Sequence, residues 1–204
     1  MVKSTIRKPH LDAMAGVLDR IEMEADRSNT VIDMLLYTVR GMGMEASEFA
    51  PCKMSVCVET ALRRYPFASE KERALVTALD MKHDFSFTGS ELLMVHVLFN
   101  LLKNAIRHIA MAGKGAISIR LEAGPLENRL VFRDTGPGIP AEVLPHIFTR
   151  YYAWPKGRGT VETTGIGLSF CREVAEAFGG RIECGSQLND HTQFTIRFTR
   201  SPAP

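Results

Sequence analysis

The nonapeptide FRDTGPGIP, residues 132–140, sets Asp134 two positions before Gly136 and continues through Gly138, Ile139 and Pro140. Aspartate, glycine and proline at this spacing build a surface turn, because each tolerates turn dihedrals. They equally build a ligand loop, in which glycines admit a small molecule close to the backbone and the carboxylate takes one specific hydrogen bond. A second cluster, HVLFNLLKNAIRH, places Asn100, Asn104 and Arg107 at i, i+4 and i+7, on one face of a helix. Amide oxygens are neutral hard ligands suited to a magnesium ion whose other partners are water and phosphate oxygens. Capping or surface solvation is the alternative for two helical asparagines, but Leu101 and Leu102 mark this helix as a buried element, where unpaired amides are costly. A third cluster, TTGIGLSFC, opens a helix at Gly165 and Gly167, and backbone N–H groups at a helix start form an anion site for phosphates.

Positioning these groups requires a set of alternating elements. Apolar patterning predicts a strand leading into a short helix over 52–58, strands over 74–81 and 85–87, and a strongly apolar helix over 92–110. Strands follow over 116–122 and 129–133, then a helix over 166–178 stopped by Gly179 and Gly180, then strands over 181–184 and 193–198. Paired strands with helices between them predict an α+β two-layer sandwich, a mixed sheet with helices on one face. Residues 149–164 carry glycine, proline, threonine and charge without periodicity, the composition of a functional lid or a mobile loop.

Ahead of this region Leu11, Met14, Leu18, Ile21, Ala25, Ile32, Leu35 and Val39 form a heptad seam broken only at Ser28. Such a helix belongs either to an ordinary core or to an intersubunit bundle, and the narrow stripe favours the bundle and hence a homodimer. Gly41 and Gly43 supply its C-terminal stop, dividing the chain into a helical part, 1–44, and a mixed part, 45–204.

Composition narrows the partners. The 204 residues hold 25 Lys and Arg against 23 Asp and Glu, with no long single-sign run to follow a nucleic acid backbone. No segment approaches the roughly 18–20 apolar residues that span a bilayer, so no membrane contact is expected from this chain itself. Cys52, Cys57, Cys171 and Cys184 form no CxxC pair, and the basic start lacks an apolar signal core, so reduced thiols and a cytoplasmic location are expected.

In their order along the chain, these pieces resemble the ATP-binding catalytic domain of sensor histidine kinases, within the superfamily shared with gyrase and certain chaperones. NLLKNAIRH is similar to the family's N box, DTGPGIP to its first glycine box, IFTRYY to its F box, TGIGL to its second glycine box, and TQFTIRF to its terminal strand. The resemblance implies the Bergerat ATP-binding fold, with ATP and Mg2+ as ligands. It implies that Asp134 reads the adenine amino group with Thr192 nearby, and that Gly136, Gly138 and Ile139 shape that loop. By the same likeness Asn104 holds magnesium, Asn100 and Arg107 lie near the phosphates, and Thr164, Gly165, Ile166, Gly167 and Leu168 cradle them, with Tyr152 alongside. Two positions depart from the family: Thr163 stands where a glycine is usual and Ala153 where many members carry arginine. Lys156 and Arg158 either restore that charge or solvate the loop.

ATP-hydrolysing members of the superfamily carry a glutamate general base one turn before the metal-binding asparagine; this chain has Asn100 there. An amide cannot take a proton, so transfer to a protein nucleophile is favoured over attack by water. In these kinases the acceptor is a histidine followed directly by Glu or Asp. His83 precedes Asp84 but sits in a turn, and His10 has its nearest following carboxylate two residues on. The heptad helix fits the second helix of the family's dimerisation hairpin, so the chain is expected to lack its own acceptor and to serve a cytoplasmic part of a membrane-attached sensor that signals to a response regulator receiver domain. The GIGLSFC and AFGG wording is loosely similar to autoinducer-sensing hybrid kinases. Two alternatives stand beside this: a serine kinase or ATPase of the same superfamily, and a nucleotide-binding or dimerisation module without phosphotransfer.

Overall fold

A computed structural model of the chain describes residues 49–152 and 165–199. The heptad seam over 11–39 lies outside them, as do Ala153, Lys156, Arg158, Thr163 and Thr164. Strand β1 (Ala50–Lys53) pairs antiparallel with β3 (Ser86–Gly89) in a small two-stranded sheet. The main sheet contains β2 (Val76–Asp80), β4 (Ile117–Ala123), β5 (Glu127–Asp134), β6 (Gly180–Gln187) and β7 (His191–Thr199), in the order β2-β4-β5-β7-β6. Only the β2–β4 pair is parallel, so the sheet is mixed, as expected.

The strand expected to lead into a short helix over 52–58 is β1. It ends at Lys53, and helix α1 (Met54–Arg64) begins at once. Met54, Cys57, Val58 and Ala61 recur at the 3.6-residue period and are all buried, which a strand would have scattered over two faces. The missing cap comes from a distance: Asp84 accepts hydrogen bonds from Ser55 N (2.9 Å) and Ser55 Oγ (2.6 Å). The turn containing His83 and Asp84 therefore has a structural task at a helix start. A short helix α2 (Glu70–Arg73), capped by the Ser69 side chain, escaped sequence patterning because it buries nothing.

Helix α3 (Glu91–Ala112) begins where Ser90 Oγ accepts from Leu93 N and ends at Gly113, whose φ of 70° suits the left-handed C-terminal cap. It packs against α1 and also against α4 (Gly167–Ala177). Leu98, Leu101 and Leu102 are fully buried, as a central element requires. One sheet face supplies Ile117, Ile119, Leu121, Leu130, Phe132, Phe194, Ile196 and Phe198 to the core. The other face carries Arg120, Glu122, Glu127, Arg129, Arg181, Glu183 and Arg197, joined by ion pairs across four strands. Alternation along each strand thus leaves one face for the helices and one for water.

At the end away from the candidate site, the Phe87 ring stacks on Phe198 with 5.0 Å between centroids, and Phe49 meets Phe178 edge-on at 5.0 Å. Replacing Phe87 by Ala empties a site between two sheets and is expected to lower the unfolding free energy by about 3–5 kcal/mol in urea titrations. Leu126→Ala, at a residue that is 79% exposed, is the matched control and should change it by about 0.5 kcal/mol or less.

Candidate functional site

Asp134 is the last residue of β5, so its side chain follows Leu130 and Phe132 on the core face. Register places it opposite Thr192 on β7, and Thr192 in turn opposite Ser186 on β6. Ser186, Thr192, Asp134 and Ile117 therefore form one row across four adjacent strands. Asp134 is only 4% exposed and Thr192 only 6%. Burial pushes the Asp134 carboxyl up from its ordinary 3.8 to about 6, although the Gly136 N–H and the charges of His191 and Arg133 pull the other way. The Gly136 bond, N to Asp134 Oδ1, measures 3.0 Å.

Beyond Gly136 the loop leans on the β6–β7 hairpin. Gly138 has φ 68°, and a Cβ there would lie 2.1 Å from the Gln187 carbonyl oxygen. Asn189 N donates to Pro137 O at 2.7 Å, and Ile139 N donates to Ser186 Oγ at 2.8 Å. Gly138 is thus needed by packing between two backbones. Sequence patterning missed the hairpin's part in this, because Ser186 and Asn189 match no periodic signal.

Asn100, Asn104 and Arg107 lie on one face of α3, as the i, i+4, i+7 spacing requires. Asn100 is buried, and its Nδ2 donates to His96 O at 2.9 Å. Its Oδ1 occupies the place that a Gly167 side chain would need, 2.6 Å from an added Cβ. Asn104, one turn further, is half-buried. Arg107 has a buried Nε without a hydrogen-bond partner, and no carboxylate pairs with it among the described residues. Its Nη2 stands 3.1 Å from His108 Nε2. A guanidinium can only donate, so that imidazole nitrogen accepts, and burial followed by the Arg107 charge pushes the His108 ring down to about 4, keeping it neutral. His108 stood inside the N-box segment without being assigned a part.

Helix α4 starts at Gly167 with no side-chain cap from Ile166, leaving its first N–H groups to another acceptor. Leu168 is the second residue of that helix, and Ser169 Oγ donates back to Ile166 O at 2.8 Å. Gly165 O accepts from Tyr151 N at 2.9 Å, joining the F-box segment to the second glycine box, and the Tyr152 ring lies 5.6 Å from His146. Arg107 thus offers a desolvated guanidinium on α3, and Gly167 a helix start against Asn100; each is a group of a kind that takes an anion. Asn104 supplies one neutral amide oxygen, a ligand of the kind a magnesium ion takes beside water and phosphate oxygens. No group of three or more His, Cys, Asp or Glu that could hold a metal lies among the described residues. No helix among those residues is long and apolar enough to cross a membrane.

Residues 89–202 match the family described as histidine kinase-, DNA gyrase B- and HSP90-like ATPase. The chain is 35% identical over 201 residues to the autoinducer 1 sensor kinase/phosphatase LuxN of Vibrio harveyi, covering 96% of this chain and 23% of that protein. It is 32% identical over 190 residues to the CAI-1 autoinducer sensor kinase/phosphatase CqsS of Vibrio cholerae, covering 93% of this chain and 27% of the relative. The chain thus spans about a quarter of the length of these relatives. The solved catalytic domain of the histidine kinase ThkA superposes with a TM-score of 0.61 at 25% identity, covering 76% of this chain and 99% of that one. The buried aspartate row, the asparagine helix and the glycine-led α4 thus occur in a chain that belongs to the histidine kinase-, DNA gyrase B- and HSP90-like ATPase family, as an ATP-binding catalytic domain of the sensor histidine kinase type.

Proposed function

We propose that this domain binds Mg-ATP along α3 and passes the γ-phosphoryl group to a histidine on a separate segment. The observation that carries this is that one helix touches both halves of the site. Asn100 meets Gly167 at the start of α4, while Ile109 lies against Gly136 beside Asp134. Nine residues of helix span about 14 Å, a length that suits a nucleoside triphosphate laid between base loop and anion site.

In this reading Asp134 accepts from the adenine amino group, while Arg107 and the first N–H groups of α4 hold the phosphates. Asn104 holds magnesium, which when bound neutralises phosphate charge. Asn100 donates to His96 O and, being an amide, takes no proton, so it is no general base toward water. The nucleophile is an imidazole nitrogen whose attack on the γ-phosphorus breaks the bond to the bridging oxygen; ADP leaves with that electron pair, and the imidazole proton passes to the carboxylate that accompanies the acceptor histidine. Here the domain contributes orientation and charge stabilisation rather than a covalent step of its own. A membrane-attached dimeric sensor with this domain on the cytoplasmic side, signalling to a response regulator receiver domain, is the setting that fits the relatives.

Asp134→Asn is expected to weaken ATP binding by about 1.5–3 kcal/mol in calorimetric titration, with GTP a poor competitor of the unsubstituted chain. Equal affinity for ATP and GTP would remove Asp134 from the base-reading role. Because the folded Asp134 carboxyl titrates near 6, above its ordinary 3.8, the native state holds its proton more tightly than the unfolded chain across that interval. Its contribution to ligand-free stability is therefore greatest below about 4 and is lost as pH rises through 6. ATP affinity should run the opposite way, falling as pH drops below 6 in the unsubstituted chain beyond any change seen in Asp134→Asn.

Incubated with labelled ATP and magnesium, the chain alone should acquire no acid-labile phosphohistidine. A two-helix hairpin carrying a His-Glu or His-Asp pair, supplied separately, should restore slow transfer, since an untethered acceptor lacks the effective concentration of a linked one. Asn104→Asp should shift the magnesium dependence of that transfer. Label appearing on His10 or His83 would refute the requirement for an external acceptor.

A further inference from the structure

The Ser186 hydroxyl joins three pieces of chain. It accepts from Ile139 N at 2.8 Å, donates to His191 O at 2.6 Å, and lies 3.3 Å from Thr192 Oγ1. A serine hydroxyl has one proton, and here the proton goes to His191 O, so in the Ser186–Thr192 contact the donor must be Thr192. With its proton directed at Ser186, Thr192 turns lone pairs toward the neighbouring end of the row, where Asp134 also presents acceptor oxygens. Two acceptors aimed at the exocyclic 6-position of a purine can each take one of the two amino hydrogens of adenine and repel the carbonyl oxygen that guanine carries there.

We propose that Ser186 is a positioning residue for base selection: by fixing the direction of the Thr192 proton and the seat of Ile139, it leaves Thr192 and Asp134 as two acceptors at the 6-position of the bound purine, which admits the amino group of adenine and repels the carbonyl of guanine. This rests on the reading of Asp134 as the residue that meets the base. Ser186 itself stands behind Thr192 in the row and acts through it. Nothing in the β6 sequence marks the residue, because its significance comes from register with β7 and from the approach of the Ile139 amide.

The test titrates the whole chain with non-hydrolysable ATP and GTP analogues, comparing the unsubstituted protein, Ser186→Ala, Ser186→Thr and Asp134→Asn, with thermal melting in parallel. Ser186→Ala should weaken ATP-analogue binding by roughly 3- to 10-fold, the range of one neutral hydrogen bond. Binding of the GTP analogue should hold or tighten, because a freed Thr192 hydroxyl can rotate to donate to a carbonyl. Ser186→Thr keeps the acceptor and should restore the preference. An equal loss for both analogues, or no loss for either, overturns the role of Ser186. If that result comes while Asp134→Asn weakens ATP-analogue binding, the base-reading role of Asp134 stands and only this inference falls; if Asp134→Asn is also without effect, both fall. Should the alanine variant not fold, Ser186→Cys replaces it, since a thiol is a poor acceptor in the same space.

Discussion

A carboxylate has been carried to the last position of a strand whose preceding inward residues are Leu130 and Phe132, and there it is almost wholly shielded from water. Such desolvation opposes ionisation and costs folding energy, so the surroundings must hold the group without neutralising it. One backbone N–H, from Gly136, does so directly. The loop that supplies it is itself held by the β6–β7 hairpin through Asn189, Ser186 and the close passage of Gly138 over Gln187. The hairpin, the loop and the end of β5 are therefore one unit, and loosening any part would let water reach Asp134.

The same economy governs the other half of the site. Helix α3 is packed between α1, α4 and the sheet, which leaves little freedom for polar groups on it. Asn100 fills the gap at Gly167, and neutral His108 takes a bond from Arg107 without competing for its charge. Arg107 is left desolvated, with no carboxylate against it among the described residues, a state that favours an incoming anion.

Much of this was legible in the sequence, for identifiable reasons. Long periodic elements such as α3 and α4 appear within one or two residues of their expected bounds, because their apolar spacing is dictated by burial. The α+β class and the mixed sheet follow from the same patterning. Helix α1 runs on to Arg64, past the 52–58 segment expected to hold its beginning, and the group that satisfies its start, Asp84, lies some thirty residues away in the chain. Strands β5, β6 and β7 run longer than their apolar cores, as their ends are held by pairing rather than by hydrophobicity. That extension is what makes Asp134 a strand residue instead of a turn residue. Ser186 was invisible for a related reason: the Ile139 amide that it receives comes from a loop far off in the chain, an approach that no single-sequence pattern carries.

The hydrogen bond between Tyr151 N and Gly165 O closes the chain on itself at the edges of residues 153–164. Whatever lies between those two points, the flanking F-box segment and α4 keep their separation. A side chain at Gly165, whose Cβ would lie 2.5 Å from the Tyr151 carbonyl carbon, would prise that junction open and carry the start of α4 with it.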